Sequence, residues 1–539
     1  MSFLSVKNQH SKPARKGLSA AVAGDQKLVK PRTKSDMKKK LHYLCLCGAL
    51  MLPMGSAAQL ALDETQVLEN ADNEPAPLHP VPSERQLLWN ETEFYGFFHY
   101  GMNTYTGKEW GYGNESETTF APTQVPNPEQ WLTACQKAGM KGGIAVVKHH
   151  DGFCLWPTST TEHCVSNSSN YGKQTNIPEK FGEAARKLGM KYGFYVSPWD
   201  RNSKYYGTQD YIDKVFIKQC EELAKYGDDQ FEMWFDGANG GDGYYGGSNT
   251  TVSIDRYVYY DIPNLRYKVH SLAKNCVMWG VGGEARWIGN EDGKAGETNW
   301  GTHPWEENTS TCGTGVEDYW LWNAGESDAK ATSEGWFWHS GESVKSAETL
   351  FQMYLETVGR NSTLILNFPP NKAGVLPDAD VKVLEELGNM MTTRLGTDLA
   401  KTATVTATAT RKAGKNRTYE ASNLIDGNKD TYWATDDNTT TASITFDLGS
   451  TKTLHYVALQ EYIKKGQRVK GFNIQYSTNG SSWTTAATGI TQTTIGYKRI
   501  IPLNGSTSSS YSRGVNARYV KINITSSKAC PLLHTVSIY

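Results

Sequence analysis

The sequence lacks several features that would point to a membrane or nucleic-acid partner. After residue 58 there is no run of about 18 apolar residues, so no later segment is expected to span a bilayer. Basic charge is not in excess there either, because the first 58 residues hold 11 of the 55 Lys and Arg and only 2 of the 56 Asp and Glu. The rest of the chain is acidic by about ten charges, which disfavours a nucleic-acid partner.

Cysteine is sparse and shows no metal-binding or redox spacing. Once Cys45 and Cys47 are set aside with a predicted signal peptide, the other seven form no Cys-x-x-Cys pair. An odd number in so long a chain argues against a disulfide framework. We expect most of these thiols to be buried as small apolar groups, with a Cys154–Cys164 disulfide as an open alternative.

The N-terminal region contains a pattern typical of an export signal. The stretch MKKKLHYLCLCGALMLPMGSAAQ begins at Met37 with three lysines, continues with an apolar run and ends in small residues. We predict a basic unstructured extension over 1–36, a signal peptide over 37–58 and a linker over 59–84. The protein is then periplasmic or secreted; the alternative is a cytosolic tail beside a buried core helix.

From about residue 90 to 395, short apolar segments alternate with amphipathic ones. Amphipathic helices are predicted over 127–140 and 210–227, where apolar residues recur at helical spacing. This alternation predicts an α/β fold, a (β/α)8-like TIM barrel over 85–399. The predicted strands are 95–101, 143–149, 192–198, 231–237, 275–280, 335–339 and 362–368.

The composition changes after Leu399. Residues 400–539 are rich in Thr, Ser and Asn and contain alternating stretches such as ASITFDLG, VKGFNIQYS and ARYVKINIT. No helical pattern of any length occurs there. An all-β jelly-roll sandwich is therefore predicted for 400–539.

Several predicted barrel strands end in residues that can do chemistry. These residues are His99, then His149 and His150, then Tyr195 and Trp199, then Trp234 and Asp236. Because barrel enzymes build their sites at the carboxyl ends of the strands, Asp236 is a candidate nucleophile or base. Two alternatives remain open, a helix-capping role for Asp236 and a metal held by the adjacent histidines.

Imidazole, indole and carboxylate groups around one mouth suit a sugar substrate. Retaining glycoside hydrolysis needs a second carboxyl group roughly 5 Å from the first. The segment GVGGEARWIGNEDGKAGETNW offers Glu284, Glu291 and Glu297, and the residues alone do not choose among them.

Seven motifs together resemble one known family. They are FFHYGMNTYTGKEWG, KHHDGFCLWP, MWFDGANG, RWIGNEDG, GWFWH, VGRNSTLILNFPPN and TYWATDD followed by LQEYIKKGQRV. The chain is similar in these motifs to the α-L-fucosidases of glycoside hydrolase family 29, over about residues 85–539. Within that family it resembles the subgroup that cleaves α-1,3- and α-1,4-linked fucose. Its partners would be fucosylated oligosaccharides or glycoconjugates.

The resemblance implies a role for each matching residue. Asp236 would be the nucleophile and Glu291, in the Gly-Asn-Glu motif, the acid/base that protonates the leaving oxygen, with Glu284 as the alternative. No catalytic metal is implied. Fucose-binding residues would be His99, Trp110, His149, His150, Tyr195, Trp234 and Trp338, the last standing where the family more often has Tyr.

The second domain resembles discoidin-like modules, including carbohydrate-binding family 32. The stretch NLIDGNKDTYWAT carries their signature, which implies a structural calcium near Asp426 and Asp430. This domain either binds glycan or packs on the barrel. Three other functions stay open for the whole chain: a retaining glycosidase of another sugar, a non-catalytic glycan-binding protein and a metal hydrolase using the two histidines.

Overall fold

The computed structural model describes residues 72–236, 239–306, 310–503 and 513–539. The predicted extension, the predicted signal peptide and residues 59–71 of the predicted linker lie outside the described residues. Within the described ranges, no helix combines the length and the apolar character that a bilayer crossing requires.

The first domain is built on parallel strands. Its strands are β1 (Phe94–Phe98), β2 (Gly142–Lys148), β3 (Lys191–Val196), β4 (Gln230–Trp234), β5 (Gly240–Gly243), β6 (Thr250–Ser253), β7 (Val277–Met278), β8 (Ala285–Trp287), β9 (Ala324–Lys330) and β10 (Ser362–Asn367). Eight of them form one sheet in the order β7-β4-β3-β2-β1-β10-β9-β8, while β5 and β6 form a separate hairpin. An isolated bridge between Trp279 and Ala285 joins the two edges, so the TIM-like barrel is nearly closed.

Helices surround this sheet. They are α1 (Glu84–Thr92), α2 (Met102–Thr106), α3 (Pro128–Lys137), α4 (Ile177–Leu188), α5 (Gln209–Tyr211), α6 (Ile217–Ala224), α7 (Arg256–Tyr259), α8 (Ile262–Leu272), α9 (Ala347–Thr357) and α10 (Asp378–Leu395), with a π-helical turn Ile212–Phe216 between α5 and α6. Ser83, Asn127 and Asn176 cap α1, α3 and α4, each accepting a hydrogen bond from the third helical N–H. Polar caps of this kind fix where a helix begins.

Alternation along the strands divides the apolar residues into two layers. Phe97 and Ile144 point into the barrel, whereas their neighbours Phe98 and Ala145 pack against the helices. The α/β barrel prediction is thereby confirmed. The indole of Trp89, on α1, lies with the inner layer and plugs the end of the barrel where the strands begin.

Two features of the predicted strand pattern are wrong. Residues 335–339 form bends, because the Trp336 N–H donates to Glu109 Oε2 (2.7 Å) and not to a neighbouring strand. Conversely, β8 and β9 were not predicted. The sequence of β9, AGESDAK, is too polar to indicate a strand, although all but its last residue are buried.

The second domain is all-β. Its strands are β11 (Thr404–Ala407), β12 (Trp433–Ala434), β13 (Ala442–Leu454), β14 (Tyr456–Glu461), β15 (Val469–Ser477), β16 (Thr484–Thr485), β17 (Arg499–Pro502), β18 (Val515–Ser527) and β19 (Leu532–Ile538). They form antiparallel sheets in the orders β11-β13-β18-β15-β16 and β12-β19-β14-β17. Apolar residues of both sheets, such as Phe446 and Val457, make one shared core, as predicted for a sandwich.

The described part of the predicted linker is not a free tether. The Leu78 N–H donates to Lys465 O (2.9 Å), Arg468 donates to Ala76 O (2.6 Å) and the Tyr419 hydroxyl donates to Asp72 O. All three partners belong to the sandwich. In two of the bonds a buried sandwich side chain, Arg468 or Tyr419, donates to a backbone carbonyl of the extended segment. Residues 72–78 are therefore part of the second domain's surface.

All seven described cysteines are buried and free. Cys154 and Cys164 are partners in an isolated β-bridge, yet their thiols are not joined. The disulfide alternative is therefore wrong, and the expectation of buried thiols is confirmed.

Candidate active site

Four neighbouring strands end at one mouth of the barrel. His99 follows β1, His149 follows β2, Tyr195 lies near the end of β3, and Asp236 follows β4. The imidazole rings of His99 and His149 have centroids 5.9 Å apart, and His149 stacks on Tyr195 at 5.4 Å. The side chains that the sequence placed at separate strand ends thus form one cluster.

The adjacent histidines both face this cluster because β2 ends just before them. Lys148, the last residue of β2, points away from the mouth and forms a buried ion pair with Asp200 (3.1 Å). The chain then turns at Gly152, whose φ of +83° favours glycine. The two imidazoles lie side by side with ring centroids 4.3 Å apart.

Asp236 is held by two of its neighbours. The Tyr195 hydroxyl donates to its Oδ2 (2.9 Å), and His150 Nε2 lies 3.4 Å from the same oxygen. On the other side of the ring, His150 Nδ1 contacts Ser197 Oγ (2.7 Å), whose hydroxyl donates to Trp199 O. The Asp236 side chain is still 38% exposed, so its carboxylate is fixed in direction and open to a ligand.

His99 is oriented from the other side of the barrel. Its Nδ1 lies 2.8 Å from Asn367 Oδ1, at the end of β10, and Asn367 Nδ2 donates to Trp336 O. The Trp336 ring packs on the His99 ring at 5.1 Å. One amide therefore positions both the imidazole and the segment that covers it.

Burial keeps two of the imidazoles neutral. It lowers the pKa of His99 to about 4 and that of His149 well below its usual range. His149 Nδ1 is buried without a hydrogen-bond partner among the described residues. A neutral imidazole with an unmet nitrogen suits a ligand hydroxyl, which can both donate and accept.

Glu291 lies within electrostatic reach of Asp236. Partial desolvation raises the pKa of Glu291, the Lys330 ammonium opposes this, and the negative charge of Asp236 raises it further. The carboxyl group also has a hydrogen-bonding partner in Trp336. An acid that keeps its proton beside an ionised carboxylate is the pairing that a retaining glycosidase needs.

The other two glutamates of this region lie elsewhere. Glu284 immediately precedes β8, at the opposite end of the barrel, and its carboxylate pairs with Arg85 (3.1 Å) and His270 (3.2 Å). Glu297 accepts a hydrogen bond from the Thr491 N–H of the sandwich. This geometry argues against Glu284 as the acid/base, because its partners lower its pKa and keep it ionised.

Trp110 stands at the rim of the mouth. Its ring meets His150 edge-on at 5.3 Å and Trp199 at 5.7 Å, and half of the residue is exposed. In the GWFWH segment, the residues in contact with His99 are Trp336 and Phe337. Trp338 as a ligand contact stays a prediction.

Sequence reasoning missed a carboxyl pair beneath the mouth. Glu326 Oε1 accepts from Trp234 Nε1 (2.6 Å), and its other oxygen accepts from the Tyr95 hydroxyl. Glu232 lies beside it and accepts from Trp89 Nε1 (2.9 Å). Both carboxyls are fully buried, and burial raises the pKa of each. Glu232 alternates with Trp234 along β4, which was the only signal for it.

The mouth also has the donor set for a cation. His149, His150 and Asp236 can each offer one ligand atom, all within 4.8 Å of one another. Two imidazoles and a carboxylate are ligands that a divalent ion of the zinc type accepts. The metal-hydrolase alternative therefore needs a direct test.

The calcium prediction fits the sandwich only in part. Asp430 Oδ1 contacts the Lys464 ammonium (2.7 Å), which takes the place that a cation would need. Asp426 Oδ2 instead accepts from Thr431 Oγ1 (2.6 Å), which also donates to Asn428 O (3.0 Å). A calcium ion near Asp426 and Asp430 would have to replace these contacts, so this site stays a prediction.

Comparisons with known proteins identify a family for each of the two domains. The Alpha-L-fucosidase family model matches residues 82–394, and the F5/8 type C domain model matches residues 404–535. Alpha-L-fucosidase 1 of Arabidopsis thaliana is 31% identical, with 86% of this chain and 88% of the relative covered.

Solved structures give the same result. A glycoside hydrolase 29 family member from an unknown rumen bacterium is 35% identical, with a TM-score of 0.73, covering 86% of this chain and 78% of that one. A Ruminococcus gnavus GH29 fucosidase in complex with fucose is 30% identical, with a TM-score of 0.74, covering 87% and 97%. The barrel, the mouth and these matches together show that the chain belongs to glycoside hydrolase family 29, the α-L-fucosidases, and carries a C-terminal discoidin-like domain.

Proposed function

We propose that this glycosidase is a retaining exo-α-L-fucosidase that removes α-1,3- or α-1,4-linked fucose from branched, Lewis-type glycans. The observation that carries the proposal is the pairing of Asp236, held by Tyr195 and His150, with Glu291, whose pKa the charge of Asp236 helps to raise. The relative solved with fucose supports the sugar, and the motif GNE supports the subgroup.

The chemistry proceeds in two displacements. Asp236 attacks the anomeric carbon while Glu291 gives its proton to the departing glycan oxygen, so the glycosidic bond breaks and a fucosyl ester forms. Glu291, now ionised, takes a proton from water, which attacks the same carbon and releases Asp236. The neutral His99 and His149 hold hydroxyls, and the exposed ring of Trp110 packs on the sugar's C–H groups. Trp234, stacked between Tyr195 and Trp279, borders the site beneath them.

Azide distinguishes the two carboxyl roles by stereochemistry. Asp236→Ala should lose turnover by at least about 10³-fold, and azide should restore it by attacking in place of the missing carboxylate, giving β-fucosyl azide. With Glu291→Ala and an activated aryl fucoside, azide should attack the fucosyl ester and give the α anomer. NMR of the products reads the outcome. Full activity of Asp236→Ala would overturn the assignment.

The linkage is tested with two natural glycans. A Lewis-type trisaccharide should be cleaved and 2′-linked fucosyllactose should not, with released fucose as the readout. Equal rates would overturn the subgroup. A chelator belongs in the same assay, because loss of activity would favour the metal-hydrolase alternative over hydroxyl binding by His149 and His150.

We also propose export and a structural calcium. The segment 37–58 supports export, and N-terminal sequencing of the mature protein should find a start after Ala58. The signature NLIDGNKDTYWAT, which contains Asp426 and Asp430, supports the calcium proposal. Calcium should raise the melting temperature of the native enzyme and lose that effect in Asp426→Ala.

A further inference from the structure

We propose that the C-terminal sandwich is a positioning element for catalysis, which anchors the loop that carries Glu291. This loop, the β8–β9 loop, follows β8 and leads to β9. The inference rests on the proposed role of Glu291 and adds a function for the second domain.

The centre of the anchor is a buried amide of the sandwich. Gln467, 4% exposed, accepts from the Gly301 N–H (2.6 Å) and donates to Asn299 O (3.1 Å). Thr494 adds a third bond, since its Oγ1 accepts from the Asn299 N–H (2.7 Å). Three backbone groups of the loop thus find their partners in sandwich side chains, and leaving buried backbone groups unpaired is costly.

Further contacts flank this centre on both sides. Before it, the Thr491 N–H donates to Glu297 Oε2 (2.9 Å). After it, Lys470 pairs with Glu317 (2.8 Å) and Lys528 with Asp318 (2.6 Å). The sandwich therefore contacts the loop in two places, at residues 297–301 and at residues 317–318.

Hydrogen bonds and the backbone between them connect the anchor with Glu291. The anchored Asn299 donates through Nδ2 to Arg360 O (2.8 Å). Arg360 donates to Ala295 O (2.9 Å), and Asn290 Nδ2 donates to Lys294 O (3.0 Å), which closes the turn around Glu291. Gly289 and Gly293 flank that turn with φ of +87° and +67°. Glycine adds little stiffness of its own, so the turn depends on what holds its ends.

The position of Glu291 matters most when the leaving group is a poor one. A glycan alcohol needs the proton of Glu291 in order to depart, whereas an acidic phenol leaves without it. Loosening the anchor should therefore resemble a partial loss of Glu291, and not a general loss of activity.

The test compares two substrates in the full-length enzyme. Gln467→Leu and Thr494→Val remove anchor bonds at nearly constant volume. Each should lower kcat by about tenfold on a Lewis-type trisaccharide, since displacement of a catalytic group by about 1 Å can cost up to 10²-fold. On 2,4-dinitrophenyl α-L-fucoside the change should stay within about twofold.

Lys498→Met is the matched control. Lys498 also joins sandwich and barrel, through Glu93, but does not touch the β8–β9 loop. It should lower the melting temperature and leave the ratio of the two rates unchanged. Equal losses on both substrates in the anchor variants, or no loss at all, would overturn the inference.

Glu291→Gln separates this inference from the function on which it rests. If that variant shows the leaving-group dependence and the anchor variants do not, the anchoring inference is overturned and the proposed role of Glu291 is kept. If Glu291→Gln shows no such dependence, both are overturned.

Discussion

At the scale of single residues, the site works by keeping some side chains charged and others neutral. Asp236 receives its hydrogen bonds from Tyr195 and has His150 nearby, while burial removes the charge from His99 and His149. The mouth therefore presents one fixed carboxylate among neutral donors and acceptors. This arrangement favours an uncharged sugar with several hydroxyls.

With Glu291 as the proposed general acid, its raised pKa is expected to set the alkaline side of the activity profile. A general acid works only while protonated, so kcat/KM should fall as the pH rises through this pKa. Glu291→Gln should abolish that alkaline limb for an activated aryl fucoside, while the acidic limb persists. A rate profile between pH 4 and 9 checks this. An unchanged alkaline limb in the variant would assign it to another group.

The buried pair Glu232 and Glu326 should make stability depend on pH. Because burial raises both pKa values, the folded protein binds more protons than the unfolded chain, and stability falls as the pH rises above about 4.5. Glu232→Gln retains a donor toward Glu326 and an acceptor for Trp89. The variant should therefore lose less unfolding free energy as the pH rises, by about 1.4 kcal/mol for each pH unit above 4.5.

Urea unfolding at pH 5 and pH 8 measures the effect. The variant should resemble the wild type at pH 5 and exceed it at pH 8. Glu222→Gln is the control, because Glu222 is a partly exposed carboxylate outside the buried pair and accepts a hydrogen bond from Trp156. It should leave the dependence of stability on pH between pH 5 and pH 8 unchanged.

At the scale of elements, apolar strands were predictable and polar ones were not. The strands β1 to β4 are apolar enough to be located from the sequence, and their ends gave the histidines and Asp236. In the sequence, Glu326 and Asp328 of β9 resemble surface charges, because the neighbouring residues do not show that each has a buried hydrogen-bond partner far away in the chain. The same reason hid the pair formed by Glu326 and Glu232. The GWFWH segment shows the opposite case. Its aromatic residues predict a strand, but Trp336 and Phe337 pack on His99 at the site.

The segment 335–339 is held by the carboxylate of Glu109 as well as by the amide of Asn367. Glu109 accepts from the Trp336 N–H (2.7 Å) and lies 3.1 Å from His339 Nε2. Glu109→Ala should free the segment that covers His99 and raise KM by about tenfold with a smaller change in kcat. Glu109→Gln, which keeps an acceptor, should recover most of the affinity. Steady-state kinetics on an aryl fucoside test this prediction. A loss confined to kcat would contradict a role of Glu109 in holding the segment that covers His99.

At the scale of the whole molecule, barrel and sandwich are joined through charges as well as through the β8–β9 loop. Glu93, at the end of α1, binds Lys141 of the barrel (2.7 Å) and Lys498 of the sandwich. Burial alone would raise the pKa of Glu93, but the two ammonium groups outweigh it and lower the pKa to about 2. One buried carboxylate thus couples both domains.

This junction predicts sensitivity to acid. A carboxylate whose folded pKa lies below its unfolded value stabilises the protein above pH 4.5, and the effect is lost as the pH falls toward 2. Glu93→Gln should cost about 3 kcal/mol at pH 7 and little at pH 2.5. Denaturant unfolding at the two pH values tests it, and an equal cost at both would show that packing, not charge, is what Glu93 supplies.

The buried thiols have a consequence for how such a chain is made. Burial raises the pKa of Cys135, Cys154, Cys220, Cys276 and Cys530, so the finished protein offers oxidants almost no thiolate. A newly synthesised, still unfolded copy has no such protection. Air and disulfide catalysts then compete with collapse of the barrel, and yield depends on which is faster, whereas the mature enzyme keeps for long periods without added reductant.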